Sequence, residues 1–160
     1  MTSQTPSTYT APVPIGTHLR DTPYIVFDIE STGGNPEKNS ITEIFALKYH
    51  KGKVTDQFYS MVNPRRNIPP IVRRITGITN QMVRKAPLIE EVMPKVLEFI
   101  GNDILVSHNT VGDLKFIEYF AWKVSKKKVP NYFLCTHLLS EKLIPEAPQK
   151  SLSGLCEFLK

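Results

Sequence analysis

The sequence predicts an α/β domain in which an antiparallel hairpin is attached to parallel strands. Three stretches carry this prediction. Residues 24–30 are aromatic and β-branched and end in polar side chains, which is typical of a buried strand. Residues 41–50 and 54–63 read as two strands joined by Lys51-Gly52-Lys53, a turn composition that favours a hairpin. Helix-spaced apolar residues and another short buried strand follow, so strands and helices alternate.

Proline, glycine and the spacing of apolar residues predict the secondary structure of the central part of the chain. Residues 64–87 are rich in proline and arginine and predict a connection with short helical turns at most. Apolar residues from Leu88 to Ile100 recur at helical spacing, and Pro94 inside this pattern predicts a helix that starts late or is kinked. Gly101 closes that helix.

The last third repeats the strand-and-helix alternation. Residues 103–107 predict a buried strand, residues 108–112 a loop, and the apolar spacing from Leu114 onward a helix. A short strand over 133–135 and a helix over 136–143, ended by Pro145, come next. Ser151 is a plausible N-cap for a final helix, and we expect the chain to stop inside it.

Composition restricts the class of protein. The 160 residues are 41% hydrophobic and 22% charged, with no apolar run near the ~18 residues of a membrane span. Residues 1–22 are polar and lack the features of a secretory signal, so we expect a flexible leader followed by one domain over 23–160. Cys135 and Cys156 show no metal-ligand spacing and predict reduced thiols in a cytoplasmic protein.

The formal net charge of +5 is compatible with a polyanionic partner. The basic residues are concentrated in two stretches, and either stretch can equally be a solvated surface. They are Arg65, Arg66, Arg73, Arg74, Arg84 and Lys85 in the first, and Lys123, Lys126, Lys127 and Lys128 in the second.

Asp28 and Glu30 are the first candidate site residues. They flank one residue at the end of a predicted buried strand, so the two-residue period of a strand puts both side chains on one face. Two neighbouring carboxylates repel each other and lose hydration unless a cation binds. Hard oxygen ligands of this kind suit Mg²⁺ or Mn²⁺. A D-x-E pattern alone is nevertheless a weak signal.

Asp113 is the second candidate. It follows the strand over 103–107 and falls in the first turn of the next helix. A carboxylate there is favoured by the helix dipole, so a simple capping role is one interpretation. The other is that its carboxylate lies beside the first strand and faces Asp28.

The ordered set of motifs resembles the DnaQ-like superfamily of 3′→5′ exonucleases, of the DEDDh type. Residues 27–33, Phe-Asp-Ile-Glu-Ser-Thr-Gly, resemble its first motif, and residues 107–116, from Ser-His-Asn to Asp-Leu-Lys-Phe, resemble its second. Ile41-Thr42-Glu43-Ile44, Asn63-Pro64 and Thr76-Gly77-Ile78-Thr79 resemble the segments between them. Residues 151–156, Ser-Leu-Ser-Gly-Leu-Cys, resemble the lead-in to the third motif.

This resemblance implies an RNase H-like fold, with a central mixed sheet flanked by helices, and a two-metal mechanism using Mg²⁺ or Mn²⁺. Asp28 would bridge both ions, Glu30 would bind the one that holds the attacking water, and Asp113 would help to hold the other. The resemblance also implies a single-stranded nucleic acid 3′ end as substrate, DNA rather than RNA, in proofreading or repair, with a DNA polymerase subunit as a partner. The residues implied in substrate binding are Ile29, Ser31, Thr32, Gly33, Thr76, His108 and Asn109.

The third motif of the family, H-x-A-x-x-D, does not occur in these 160 residues, and none of His18, His50, His108 and His137 begins it. We expect the motif just beyond Lys160, and hence a domain that is incomplete at its C-terminus and nearly inactive as 160 residues. The competing hypothesis is a non-catalytic module that keeps the fold and binds nucleic acid or docks to a polymerase or helicase.

Overall fold

The structure is a computed structural model that describes residues 18–160. A five-stranded sheet with the strand order β3-β2-β1-β4-β5 forms its centre. Its strands are β1 (Tyr24–Ser31), β2 (Ile41–His50), β3 (Lys53–Met61), β4 (Ile104–Ser107) and β5 (Phe133–Cys135). β1, β2 and β3 pair in antiparallel fashion, whereas β1, β4 and β5 pair in parallel. The predicted hairpin on a parallel core is confirmed.

The hairpin between β2 and β3 is closed by the predicted turn. His50 pairs with Lys53, so Lys51 and Gly52 form a two-residue loop. Both have positive φ angles, 50° and 80°, as a type I′ turn requires. Because glycine has no Cβ, the positive φ at Gly52 costs little free energy.

Six helices accompany the sheet in the described part of the chain. They are α1 (Pro70–Thr76), α2 (Asn80–Val83), α3 (Ile89–Ile100), α4 (Val111–Ser125), α5 (Thr136–Leu143) and α6 (Leu152–Phe158). α1 and α2 are the short helical turns predicted for the proline-rich connection. The Ser151 side chain accepts a hydrogen bond from the Gly154 N–H and so caps α6 as predicted.

α3 begins at Ile89, before Pro94, because the Glu91 carboxylate accepts from the Leu88 N–H at 2.9 Å and stabilises an early first turn. A late start is therefore excluded, and the predicted kink at Pro94 remains a prediction. Two other helix boundaries differ from the prediction. α4 begins at Val111 instead of near Leu114, since non-apolar residues of its first turn also adopt helical geometry. α6 ends at Phe158, so the expectation that Lys160 lies inside this helix was wrong.

The structure describes only the last residues of the predicted leader. Residues 1–17 lie outside the described part of the chain. Leu19–Asp21 form a 3₁₀ turn, Thr22 is 2% exposed, and His50 hydrogen-bonds through its Nε2 to the Asp21 carbonyl. The expectation of a flexible leader was therefore wrong for residues 18–22, which the hairpin holds in place.

One face of the sheet carries the hydrophobic core. Ile25 and Phe27 of β1 point into it and pack with buried residues of α3 and α4, among them Met93 and Ile117. The alternation of β1 places Val26, Asp28 and Glu30 on the opposite face. The core thus fixes the direction in which the first two candidate carboxylates point.

The described residues contain no helix that is long and apolar enough to span a membrane. Cys135 and Cys156 are both free thiols, as predicted.

Candidate active site

Asp28 and Glu30 project from the last third of β1, on the face away from the core. Asp28 is exposed and pairs across the sheet with Phe45, while Glu30 is half-buried and pairs with Glu43 of β2. Burial raises the pKa of Glu30, and the negative charges of Asp28 and Glu43 raise it further. The period-two prediction is confirmed: the two side chains share one face.

Asp113 lies in the first turn of α4, the helix that follows β4. The ladder between β1 and β4 ends at Val26 and Val106, so the last residues of β1 are unpaired with β4 and face the start of α4. Burial raises the pKa of the Asp113 carboxyl to about 7, and the charges of Asp28 and Glu30 add to the rise. The third carboxylate therefore lies within electrostatic reach of the first two.

Two groups partly offset the rise in the pKa of Asp113. The Ile29 backbone N–H and the Ser107 side chain interact with the Asp113 carboxyl and lower its pKa. The Ser107 hydroxyl is buried and has no partner at ordinary hydrogen-bond distance, so its contact with the carboxyl is a loose one. Burial and like charge outweigh both, because the net pKa is still about 7.

No cation neutralises these three carboxylates within the described residues. The ion pairs there join Arg65 to Glu90 and His137 to Glu141. The described residues also hold no group of three or more His, Cys, Asp or Glu side chains close enough together to ligate one metal ion.

The loop after β1 uses its polar side chains internally. Thr32 is buried, its N–H donates to the Ser40 carbonyl, and its hydroxyl lies 3.3 Å from Asn39 Oδ1 and accepts from the Ser40 N–H. The Ser31 hydroxyl donates to the Gly33 carbonyl. A Cβ on Gly33 would lie 2.6 Å from Asn39 Oδ1, so a larger residue there would displace the Asn39 side chain. The predicted nucleotide contacts of Ser31, Thr32 and Gly33 remain predictions.

The other predicted substrate residues have different surroundings. Ile29 is partly buried, its side chain packs against the hydrophobic core, and its backbone N–H interacts with the Asp113 carboxyl, so its predicted contact with substrate remains a prediction. Thr76 ends α1 and its hydroxyl accepts from the Ile78 N–H. Asn109 is exposed and has a positive φ of 63°, a conformation that asparagine tolerates.

His108 is held through its Nδ1, which lies 3.0 Å from the Thr136 hydroxyl. The same hydroxyl donates to the Ser107 carbonyl at 3.3 Å. The ring also meets His137 edge-on, with the ring centroids 5.5 Å apart.

Sequence reasoning missed the roles of two residues at the site. Glu43 faces Glu30 across the β1–β2 pair and accepts a hydrogen bond of 2.8 Å from the Tyr59 hydroxyl. Ser107, the last residue of β4, contacts Asp113. The pairing register of β1 with β2 was the signal that could have identified Glu43, and the position of Ser107 at the start of the second motif was the signal for the other.

Residues 25–160 match the model of the RNase_T exonuclease family. Over 140 residues the chain is 37% identical to DNA polymerase III subunit epsilon of Aquifex aeolicus, a match covering 88% of the chain and 69% of that protein. It is 39% identical over 148 residues to a putative bifunctional exonuclease/endonuclease of Mycobacterium tuberculosis, covering 88% of the chain and 23% of the relative. For the PolC-type DNA polymerase III of Clostridium perfringens the identity is 37%, and the chain spans 10% of its length.

Solved structures agree with the sequence relatives. Exonuclease X in complex with 5′ overhanging duplex DNA superposes with a TM-score of 0.68 at 26% identity, over 84% of this chain and 72% of that one. A structure of exonuclease I gives a TM-score of 0.72 over 86% of this chain and 35% of that one, and at 15% identity it supports the fold alone. With the mixed sheet and the two carboxylate motifs in place, the chain belongs to the DnaQ-like family of 3′→5′ exonucleases and has its RNase H-like fold.

Proposed function

We propose that this chain is the nuclease unit of a divalent-metal-dependent exonuclease that removes nucleotides from the 3′ end of single-stranded DNA. The observation that supports it is the convergence of Asp28, Glu30 and Asp113 at the point where β1 and β4 separate, with no cation paired to them in the described residues. Neighbouring carboxylates without a cation destabilise the fold, and an arrangement of this kind is therefore typical of a functional site.

The donor set fits Mg²⁺ or Mn²⁺ in its chemistry, since all three groups are carboxylates, two on β1 and one in the first turn of the helix that follows β4. We propose that these residues hold two such ions after rotation of their side chains, and that Asp113 gives up its proton when they bind. When bound, the ions supply electrostatic stabilisation of the attacking and leaving oxygens of the phosphodiester. The positions of the three carboxylates would determine where the positive charge of the ions is held.

Basic side chains near the proline-rich connection support a polyanionic substrate. Arg73 and Arg74 at the end of α1 are exposed, whereas Arg65 is paired with Glu90 and Arg66 with the Lys38 carbonyl. The free arginines are therefore the ones available to phosphates. We infer DNA as substrate, a DNA polymerase as a partner and a cytoplasmic location from the relatives, which include a DNA polymerase III subunit epsilon and a PolC-type DNA polymerase III.

Binding and turnover need separate measurements, because no H-x-A-x-x-D pattern lies within these 160 residues. Calorimetry with Mn²⁺ should show binding to the wild type and a loss of it in Asp28→Asn, while Asp56→Asn, which removes an exposed carboxylate of β3, should bind like the wild type. Identical titrations for Asp28→Asn and the wild type would overturn the site.

Turnover is measured on the full-length gene product with a 5′-labelled single-stranded oligonucleotide. Removal from the 3′ end gives a ladder of labelled products that shortens with time and requires both Mn²⁺ and Asp28. Release of labelled mononucleotide at once would indicate the opposite polarity. Metal binding without any digestion would favour the non-catalytic module.

A further inference from the structure

A cleft of about 490 Å³ lies at the end of the sheet opposite the carboxylates. Gly101 and Asn102, which precede β4, and Asn131, which precedes β5, line it. Asp113 instead follows the other end of β4, about 13 Å away for a strand of four residues. The cleft is therefore separate from the candidate active site, and its volume lies within the range of ordinary ligand pockets.

A buried asparagine holds the floor of this cleft together. Asn131 is 6% exposed, and its Nδ2 donates to the carbonyls of Gly101 and Asp103 at 3.0 and 2.8 Å. Its Oδ1 is fully buried and has no hydrogen-bond partner among the described residues, so it is shielded from a ligand in the cleft. The two hydrogen bonds tie the residues before β5 to the start of β4 and fix the shape of the floor.

The walls add charge and apolar surface. Lys127 and Lys128 line one side, Glu98 is the single acidic residue of the lining, and the remaining surface comes mainly from Pro94, Leu97 and Pro130. A ligand that complements these groups carries negative charge and an aliphatic portion.

We propose that this cleft is a docking site for an acidic peptide segment of a partner protein. Its carboxylates would pair with Lys127 and Lys128, and an aliphatic side chain would pack on Pro94 and Leu97. Single-stranded nucleic acid fits less well, because its bases are bound by stacking on aromatic or arginine side chains and the described lining contains neither.

The peptide ligand for the test is obtained by selection from a library. A random heptapeptide library displayed on phage is panned against the immobilised 160-residue chain, and the enriched peptides are synthesised with a fluorescent label. Asp or Glu together with Leu, Ile or Val should be enriched. In polarisation titrations, the double variant Lys127→Glu, Lys128→Glu should bind the peptide about tenfold more weakly. The matched control reverses two other exposed lysines, Lys51→Glu and Lys53→Glu, and should change affinity by no more than about twofold.

NMR of the labelled chain locates the contact, and the Asn131 side-chain amide should shift on addition of the peptide. Three results would overturn the proposal: selection without acidic enrichment, an equal loss of affinity in the two double variants, or displacement of the peptide by oligothymidylate. None of these measurements requires metal or hydrolysis, so their outcome is independent of the proposed function.

Discussion

Replacing Asp113 by asparagine should stabilise the metal-free protein at neutral and alkaline pH. The carboxyl has a pKa of about 7 in the fold against 3.8 for an unperturbed aspartate, so the folded state binds more protons than the unfolded state between these values. Its charged form is destabilising above pH 7, and the cost disappears as the pH falls toward 3.8. Asparagine keeps the shape and removes the charge.

The difference between the two pKa values corresponds to about 4 kcal/mol before solvent screening, at ~1.36 kcal/mol per unit. Because Asp113 is half-buried, we reduce this to about 2 kcal/mol at pH 8. That gain should raise the melting temperature by roughly 6 °C for a domain of this size. At pH 5 the gain should be less than half as large, since the folded carboxyl is then almost fully protonated and pH 5 lies only about one unit above the unperturbed pKa of 3.8.

The assay is thermal and urea unfolding in EDTA at both pH values, with Asp56→Asn as the control for losing an exposed carboxylate elsewhere. Added Mg²⁺ should then stabilise the wild type more than Asp113→Asn and narrow the difference between them. The reasoning fails if Asp113→Asn is no more stable than the wild type at pH 8, or if its gain is the same at pH 5.

Three further results are expected. Mn²⁺ binding at pH 7 should release about half a proton from Asp113, so calorimetric enthalpies should vary with the ionisation heat of the buffer; a buffer-independent enthalpy would contradict this. Asn39→Ala should lower the free energy of unfolding by about 1–2 kcal/mol in urea titrations, because the Thr32 hydroxyl loses its contact with Asn39; an unchanged midpoint would show that the loop is held otherwise. Affinity for single-stranded DNA should fall with salt, and Arg73→Ala with Arg74→Ala should make log K against log [salt] shallower by about 1.4, at ~0.7 per phosphate contact; an unaltered slope would remove α1 from the interface.

The sequence by itself determined the local geometry. The common face of Asp28 and Glu30 follows from the two-residue period of a strand, and the turn at Lys51 and Gly52 follows from the residues that tolerate positive φ. The position of Asp113 in a first helical turn could also be read from its neighbours. These features depend on backbone stereochemistry over a few residues, which the order of side chains specifies.

Only the tertiary structure decided what those residues meet. It brought Asp113 beside Asp28, raised its pKa to about 7, placed Glu43 opposite Glu30, and turned Ile29 into the core. It also brought Asn131 to the floor of a cleft far from any motif. Burial and charge act through space between segments distant in the chain, so desolvation and repulsion are set by packing and leave no local pattern in the sequence.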